Sequence, residues 1–446
     1  MSYEAAIDRL NAMVPELHTI AGQPRRKFSL DEIRILLGAL GDPQRRFPSV
    51  LIAGTNGKGS TAATLAAILK ASGVRTGLYT SPHLERVNER IRLDSEEIAD
   101  DAFASLFFKV DEAARRLVRE GRLPQFPSFF EVLTAQALLC FAEKKVEIAV
   151  LEVGMGGRLD ATNVVDPLLS IITDISLDHT EWLGSTIGAI AREKAGILRP
   201  EGTLIHLAQD PSVDSVFREV ARELGVREVN AAAYLPKVEV APASSYAVKA
   251  RGESIEVSSQ LQGVHQQRNL ALAIASAVEL AEGHGFAVTA KAIEAGIRQT
   301  LWPARLERIG QGEIEWIFDV AHNPAGASAL RAGLAGLCGG SGEMRPRTLM
   351  FSCLRDKPVE EMARILFPFF DQVICAPIRT ARATPMDELL AAARTIGIAA
   401  VPAASVGEAL ALARESTPRG TIVVSGSVYL VGEARAVVLQ RRGEEK

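Results

Sequence analysis

The sequence has few cysteines, few aromatic residues and no surplus of either charge. Its 446 residues include four cysteines, Cys140, Cys338, Cys353 and Cys375. They lie far apart, form no C-x-x-C pair and have no His at ligand spacing, so neither a disulfide framework nor a zinc site is indicated. Aromatics make up 5%, which leaves the core to Ala, Leu and Val. Lys+Arg 50 against Asp+Glu 54 give a net charge of -4, and no global field then favours a polyanionic polymer. Nucleic acid and a membrane surface are not expected as partners. The longest uncharged apolar stretch, near residues 270–278, is about half of the ~18–20 residues a bilayer span needs. Residues 1–10 carry acids where an export signal needs a basic segment and an apolar run. The expectation is a soluble, cytoplasmic monomer. No repeat or low-complexity tract is present, and the length suggests two or three domains.

What is there is an alternation of short apolar runs with helical patterns. The spacing predicts strands at 49–53, 76–80, 146–153 and 168–175, with helices at 61–72, 129–144 and 187–197. Repeated βα units imply a doubly wound, mostly parallel sheet with ligand crevices at the carboxyl ends of its strands. From 202 to 257 the texture changes: short alternating runs at 237–240 and 246–250 predict antiparallel strands appended to that sheet. A long helix is predicted at 267–281. Leu301-Trp302-Pro303-Ala304-Arg305 has the character of a linker, because Pro303 breaks a helix. Strands predicted at 314–319, 348–351, 372–376 and 421–425 then resume the alternation. The predicted division is 1–300 and 301–446.

The sharpest local signal is Gly54-Thr55-Asn56-Gly57-Lys58-Gly59-Ser60, between a strand and a helix. Glycines let backbone N–H groups face a phosphate, Lys58 supplies a point charge, and the helix amino terminus adds its dipole. The spacing departs from the standard G-x-x-x-x-G-K-[ST], because Ile52 stands at the first glycine position and Gly59 separates Lys58 from Ser60. Glu152 ends a hydrophobic strand before Gly154-Met155-Gly156-Gly157, where its carboxylate suits phosphate-bound magnesium and equally suits a solvated strand end. Asp178-His179 follows another strand, with His179 open to a structural role. Lys194, taken alone, is a helix-surface lysine near a C-cap. Gly263 to Asn269 opens a long helix. Asp319-Val320-Ala321-His322-Asn323-Pro324 follows a strand, with Asn323 fitting an N-cap before a first-turn proline.

In order along the chain, the phosphate loop, Thr80-Ser81-Pro82-His83-Leu84, Glu152 to Asn163, Leu177-Asp178-His179-Thr180, Glu193-Lys194-Ala195-Gly196-Ile197, Asp319 to Pro324 and Ser425-Gly426-Ser427 resemble the folylpolyglutamate synthase and dihydrofolate synthase family, a branch of the Mur-type ATP-dependent ligases. The resemblance spans about residues 25–432. It implies a P-loop ATPase domain with a small antiparallel β extension and a Rossmann-like carboxyl-terminal domain. It also implies ATP-dependent ligation of L-glutamate to dihydropteroate, to tetrahydrofolate (poly)glutamates, or to both, through an acyl phosphate. ATP and magnesium are the implied cofactors, and the partners are small molecules. By match, Ser81, Glu152 and His179 correspond to magnesium ligands and Lys194 to a carbamylated lysine. Asn269, Arg305 and Asp319 match ATP-contacting positions, and His322 lies near the phosphates. Ser128, Phe129, Phe130, Leu159, Asp160 and Ala161 match pterin contacts, while Ser425 and Ser427 are candidates for glutamate. Ser29 stands where many relatives carry Gly. The alternatives are a muropeptide synthetase, against which stand the Ser81–Leu84 and Leu159–Thr162 segments, and a P-loop NTPase switch that needs no amine co-substrate.

Overall fold

The computed structural model describes residues 2–13, 29–237, 245–338 and 346–444. Lys27, Phe28 and all but the first residue of the strand predicted at 237–240 lie outside the described residues, as does the side chain of Cys338. The first sheet has eight strands: β1 (Ser49–Ala53), β2 (Thr76–Tyr79), β3 (Ile91–Leu93), β4 (Glu96–Glu97), β5 (Ile148–Glu152), β6 (Leu169–Ile172), β7 (Thr203–His206) and β8 (Arg227–Asn230). Their order is β4-β3-β2-β5-β1-β6-β7-β8. The six strands from β2 to β8 in that order are parallel, and β3 and β4 form an antiparallel edge.

β1 and β5 are buried at every position, and the sequences SVLIA and IAVLE are accordingly almost uniformly apolar. Because successive side chains point to opposite faces, Leu51 and Ala53 pack into one core while Val50 and Ile52 pack into another. Helices cover both faces. Among them are α1 (Lys58–Ala71), α2 (Phe129–Glu143) and α3 (Val264–His284), with α2 on the first core and α1 and α3 on the second. α1 starts three residues earlier than the predicted 61–72, so the glycine loop is correspondingly tight.

Residues 202–257 depart from expectation in two ways. β7 and β8 continue the parallel sheet, because the amphipathic helix Pro211–Leu224 forms a crossover between them. The strands β9 (Tyr246–Ala250) and β10 (Glu253–Val257) are antiparallel but pair only with each other. Their turn, Arg251-Gly252, has positive φ at both residues, 54° and 79°, which matches the twist of a two-residue hairpin.

The second sheet follows after a helix that ends at Gln299. It contains β11 (Glu307–Gln311), β12 (Ile314–Phe318), β13 (Arg347–Phe351), β14 (Gln372–Cys375), β15 (Ala400–Pro402) and β16 (Gly420–Ser425), in the order β11-β12-β16-β13-β14-β15. β11 is antiparallel and the rest are parallel. Helices α4 (Pro324–Cys338) and α5 (Val428–Glu444) follow β12 and β16. In the first sheet the winding reverses at β1, and in the second it reverses beside β13 and β16. Both crevices therefore open at carboxyl strand ends, and they face each other.

Candidate active site

The loop after β1 is shaped by main chain. Gly57 has φ 90°, and a Cβ there would sit 2.1 Å from Asn269 Oδ1, so the loop closes against α3 only with glycine at this position. Thr55 Oγ1 donates to Ser176 O at 3.1 Å and accepts from Ser176 N at 3.1 Å, which braces the loop on the segment after β6. Lys58 is the first residue of α1, and its Nζ donates to the carbonyls of Gly54 and Thr55 at 3.2 and 3.1 Å. Gly54 to Ser60 together line a cavity of about 480 Å³ between the two sheets.

Parallel register sets Glu152 beside Ile52, which carries its carboxylate to the edge of the same cavity. Glu152 is 5% exposed and accepts from Ser81 N at 3.1 Å. Burial raises its pKa, opposed by the Lys58 charge, the Ser81 N–H and Arg305. Lys194 is also buried and donates to Gly54 O at 2.7 Å, an oxygen it shares with Lys58. Burial first, and the Lys58 charge second, bring the Lys194 amine down to about 7. The helix-surface role suggested by its local sequence is therefore excluded. Asn269 donates to Gln266 Oε1 at 2.8 Å and faces the loop from α3.

The opposite wall comes from the second sheet. Arg305 lies between Ala304 and Leu306, both at positive φ. Asp319 accepts from Leu306 N and Ala321 N, each at 2.9 Å. Burial raises the pKa of Asp319 against the opposing charges of Arg305 and His265. Burial lowers that of Arg305, opposed by Asp319 and Glu152. His322 Nδ1 is 2.8 Å from Val320 O, so that nitrogen carries the proton and Nε2 faces Asp178 Oδ2 at 3.8 Å. His322 is held below its ordinary pKa by burial and then by Lys357. His179 has φ 49°, and burial followed by the Lys357 charge lowers its pKa to about 4.

Sequence reasoning missed three residues where this wall meets the first: Lys357 and Asn323 on the second sheet's side, and Asp178, after β6 of the first sheet, in the role it plays here. Lys357 Nζ donates to Asp178 Oδ1 at 2.5 Å, with side-chain exposures of 3% and 8%. Burial would raise Asp178, but the charges of Lys357, His179 and His322 outweigh it and hold the carboxyl well below the usual range. Asn323 Oδ1 accepts from Gly326 N at 2.8 Å, so it does cap α4, and its amide also bonds Asn56 and Asp178. The available signal was position: Lys357 follows β13, a predicted strand whose carboxyl end is a ligand edge.

The expected pterin residues divide. Leu159 and Asp160 line a smaller cavity of about 100 Å³ with Met155 and Trp182. Asp160 already accepts from Met155 N and from Thr162 N and Oγ1. Ala161 starts the short helix after it and is buried. Ser128 caps α2 in a reciprocal box with Glu131. Phe130 packs on Tyr79, and Phe129 lies under the Arg90 guanidinium at 5.2 Å. Of these four, none lines either cavity. Ser425 is buried and Ser427 lines the large cavity. Ser29 Oγ donates to Asp31 Oδ2 at 2.9 Å.

A seam joins the loop carrying Ser81 to α5. Arg435 pairs with Glu85 at 2.6 Å and with Glu307 at 2.7 Å. Gly432 sits so close that a Cβ would lie 2.0 Å from Leu84 O.

Residues 52–277 match the Mur ligase middle domain, and residues 304–428 match the Mur ligase glutamate ligase domain. The fold and site thus define an ATP-dependent ligase of the Mur type. The folylpolyglutamate synthase of Lacticaseibacillus casei is 34% identical over 432 residues, covering 93% of this chain and 96% of that protein. The dihydrofolate synthase/folylpolyglutamate synthase of Mycobacterium tuberculosis is 36% identical over 453 residues, covering 92% and 90%. Among solved structures, the M. tuberculosis folylpolyglutamate synthase complexed with ADP superposes with a TM-score of 0.87 at 32% identity, covering 98% of each chain. E. coli FolC in complex with DHPP and ADP superposes with a TM-score of 0.82 at 30% identity, covering 99% of each. The chain belongs to the folylpolyglutamate synthase/dihydrofolate synthase family.

Proposed function

We propose that the protein uses ATP to join L-glutamate to dihydropteroate, to tetrahydrofolate (poly)glutamates, or to both. The observation that carries this reading is the convergence of Lys58, Glu152 and Lys194 with Arg305, Asp319 and His322 on one cavity between two facing strand-end crevices. The pteroate or folate carboxylate attacks the γ-phosphorus of ATP, the bond to ADP breaks, and an acyl phosphate forms. The glutamate nitrogen, having lost a proton, then attacks the acyl carbon and phosphate leaves. Lys58 and the loop N–H groups stabilise the transferring charge. Asn269, Arg305 and Asp319 hold the nucleotide from α3 and the second sheet. Leu159 and Asp160 serve the pterin, together with the neighbouring Ser128, Phe129, Phe130 and Ala161. On this reading 1–300 is the nucleotide- and folate-binding unit and 301–446 the ligase unit, working as a cytoplasmic monomer.

A magnesium ion fits the donors present. Ser60 Oγ is buried in the loop without a hydrogen-bond partner among the described residues. No group of three or more His, Cys, Asp or Glu suited to a metal occurs among those residues. A single carboxylate, hydroxyls and phosphate oxygens are what magnesium accepts. Ser81 and Glu152 would hold it, and it would neutralise charge on the phosphates. His179 and Lys194 suit a second ion only if the Lys194 amine, brought down to about 7, takes up carbon dioxide as an anionic carbamate, since an ammonium would repel the ion.

The test is ADP release with ATP and either dihydropteroate or a tetrahydrofolate monoglutamate, with and without L-glutamate. Sustained release, beyond the single turnover that forms the acyl phosphate, is expected to require glutamate; full-rate turnover without it would overturn the ligase reading.

A further inference from the structure

We infer that Asn323 is the positioning residue that registers the second sheet's wall on the phosphate loop. This rests on the ligase reading above. Asn323 is 1% exposed, and its amide is saturated. Nδ2 donates to Asn56 Oδ1 at 3.0 Å and to Asp178 Oδ2 at 3.0 Å. Oδ1 accepts from Asn56 Nδ2 at 3.3 Å and from Gly326 N at 2.8 Å. Two donors and two acceptors are the full capacity of the side chain. Three of these four bonds cross from the second sheet's unit to the first, and only the Gly326 bond serves α4.

The partners on the far side sit at the chemistry. Asn56 is in the phosphate loop, two residues before Lys58. Asp178 precedes His179 and is the carboxylate gripped by Lys357. His322 is the neighbour of Asn323 and faces the same Asp178. A buried amide with no spare bonding capacity has one arrangement that satisfies it, and leaving any partner unmet costs its desolvation. Asn323 thereby fixes the placement of His322, Asp319 and Lys357 over the loop. An offset of about 1 Å in such an alignment can cost about a hundredfold in rate.

Asn323→Ser separates this role from helix capping. Serine is a good N-cap but is too short to reach Asn56 and Asp178. We expect Asn323→Ser to stay folded with its helix cap intact, to lower Tm only by the cost of the bonds left unmet at Asn56 and Asp178, and to keep KM for ATP within about threefold, while kcat falls by tenfold or more. Asn56→Ser is expected to lower kcat similarly, and the double variant to be no worse than the more severe single one. The second readout is the distance distribution between spin labels at E223C and E415C, both exposed and one in each unit, with AMPPCP bound. It should be narrow in the parent and broad in Asn323→Ser. An unchanged distribution, or an unchanged kcat in an active enzyme, overturns the inference. A parent that lacks glutamate-dependent ADP release sinks the ligase reading instead, and the label distances still decide the role of Asn323.

Discussion

The two walls of the cleft are built differently. The first is a continuous piece of chain, Gly54 to Ser60, in which glycines and a helix start turn main-chain groups toward the cavity. The second is assembled from single side chains at separate strand ends: Asp319 and His322 after β12, Lys357 after β13 and Ser427 after β16. The first wall is complete within its own fold. The second is set by contacts with the first, above all the Lys357–Asp178 pair and the Asn323 bonds. One wall is therefore specified locally and the other by docking.

Four substitutions sharpen or break that contrast. Lys58→Ala should have the largest kinetic effect, lowering kcat by about a thousandfold while leaving the unfolding midpoint nearly in place, since among the described residues the hydrogen bonds of Lys58 go to its own loop. Near-parental ADP release would remove Lys58 from the site. Lys357→Ala should do the reverse and act on stability. It strands the Asp178 carboxylate in a buried position, a cost of about 3–5 kcal/mol, visible in denaturant melts. Asp178→Asn in the same background should restore much of it, and equal melts for Lys357→Ala and the parent would refute the docking role. Lys194→Ala should lose about tenfold to a hundredfold in activity and regain part of it with added acetate. Full activity without acetate would discard the carbamate. Gly432→Ala should have the smallest effect, about 1–3 kcal/mol, because the Leu84 carbonyl must shift. A thermal melt unchanged by this substitution would show the seam to be slack.

Legibility in the sequence follows the same contrast. The loop after β1 is seven consecutive residues, so its glycines, its lysine and the helix start can be read together from the sequence. β1 and β5 were legible because a strand buried on both faces must be apolar throughout. Within residues 202–257 the antiparallel strand at 246–250 was legible, but β7 and β8 were misjudged because the crossover helix Pro211–Leu224 was not recognised between them. Asn323 and Asn56 are 267 positions apart, and Asp178 and Lys357 are 179 apart. No local pattern encodes such pairs, since docking alone brings them together. Asn323 fitted an N-cap from sequence and is one, yet three of its four bonds serve another purpose. Lys194 illustrates the converse: its helix is ordinary, and only the tertiary fold buries its amine beside Gly54 O.

Gly432 carries a consequence for recombining this enzyme with its relatives. With Leu84 O where a methyl group would have to go, α5 and the loop after β2 cannot be inherited from different parents unless both keep the same close approach. A chimera cut near residue 300 would join the two segments from separate sources. One that exchanges residues 80–90 together with 428–435 would carry the fit across intact, and this pair of segments is the natural unit of exchange.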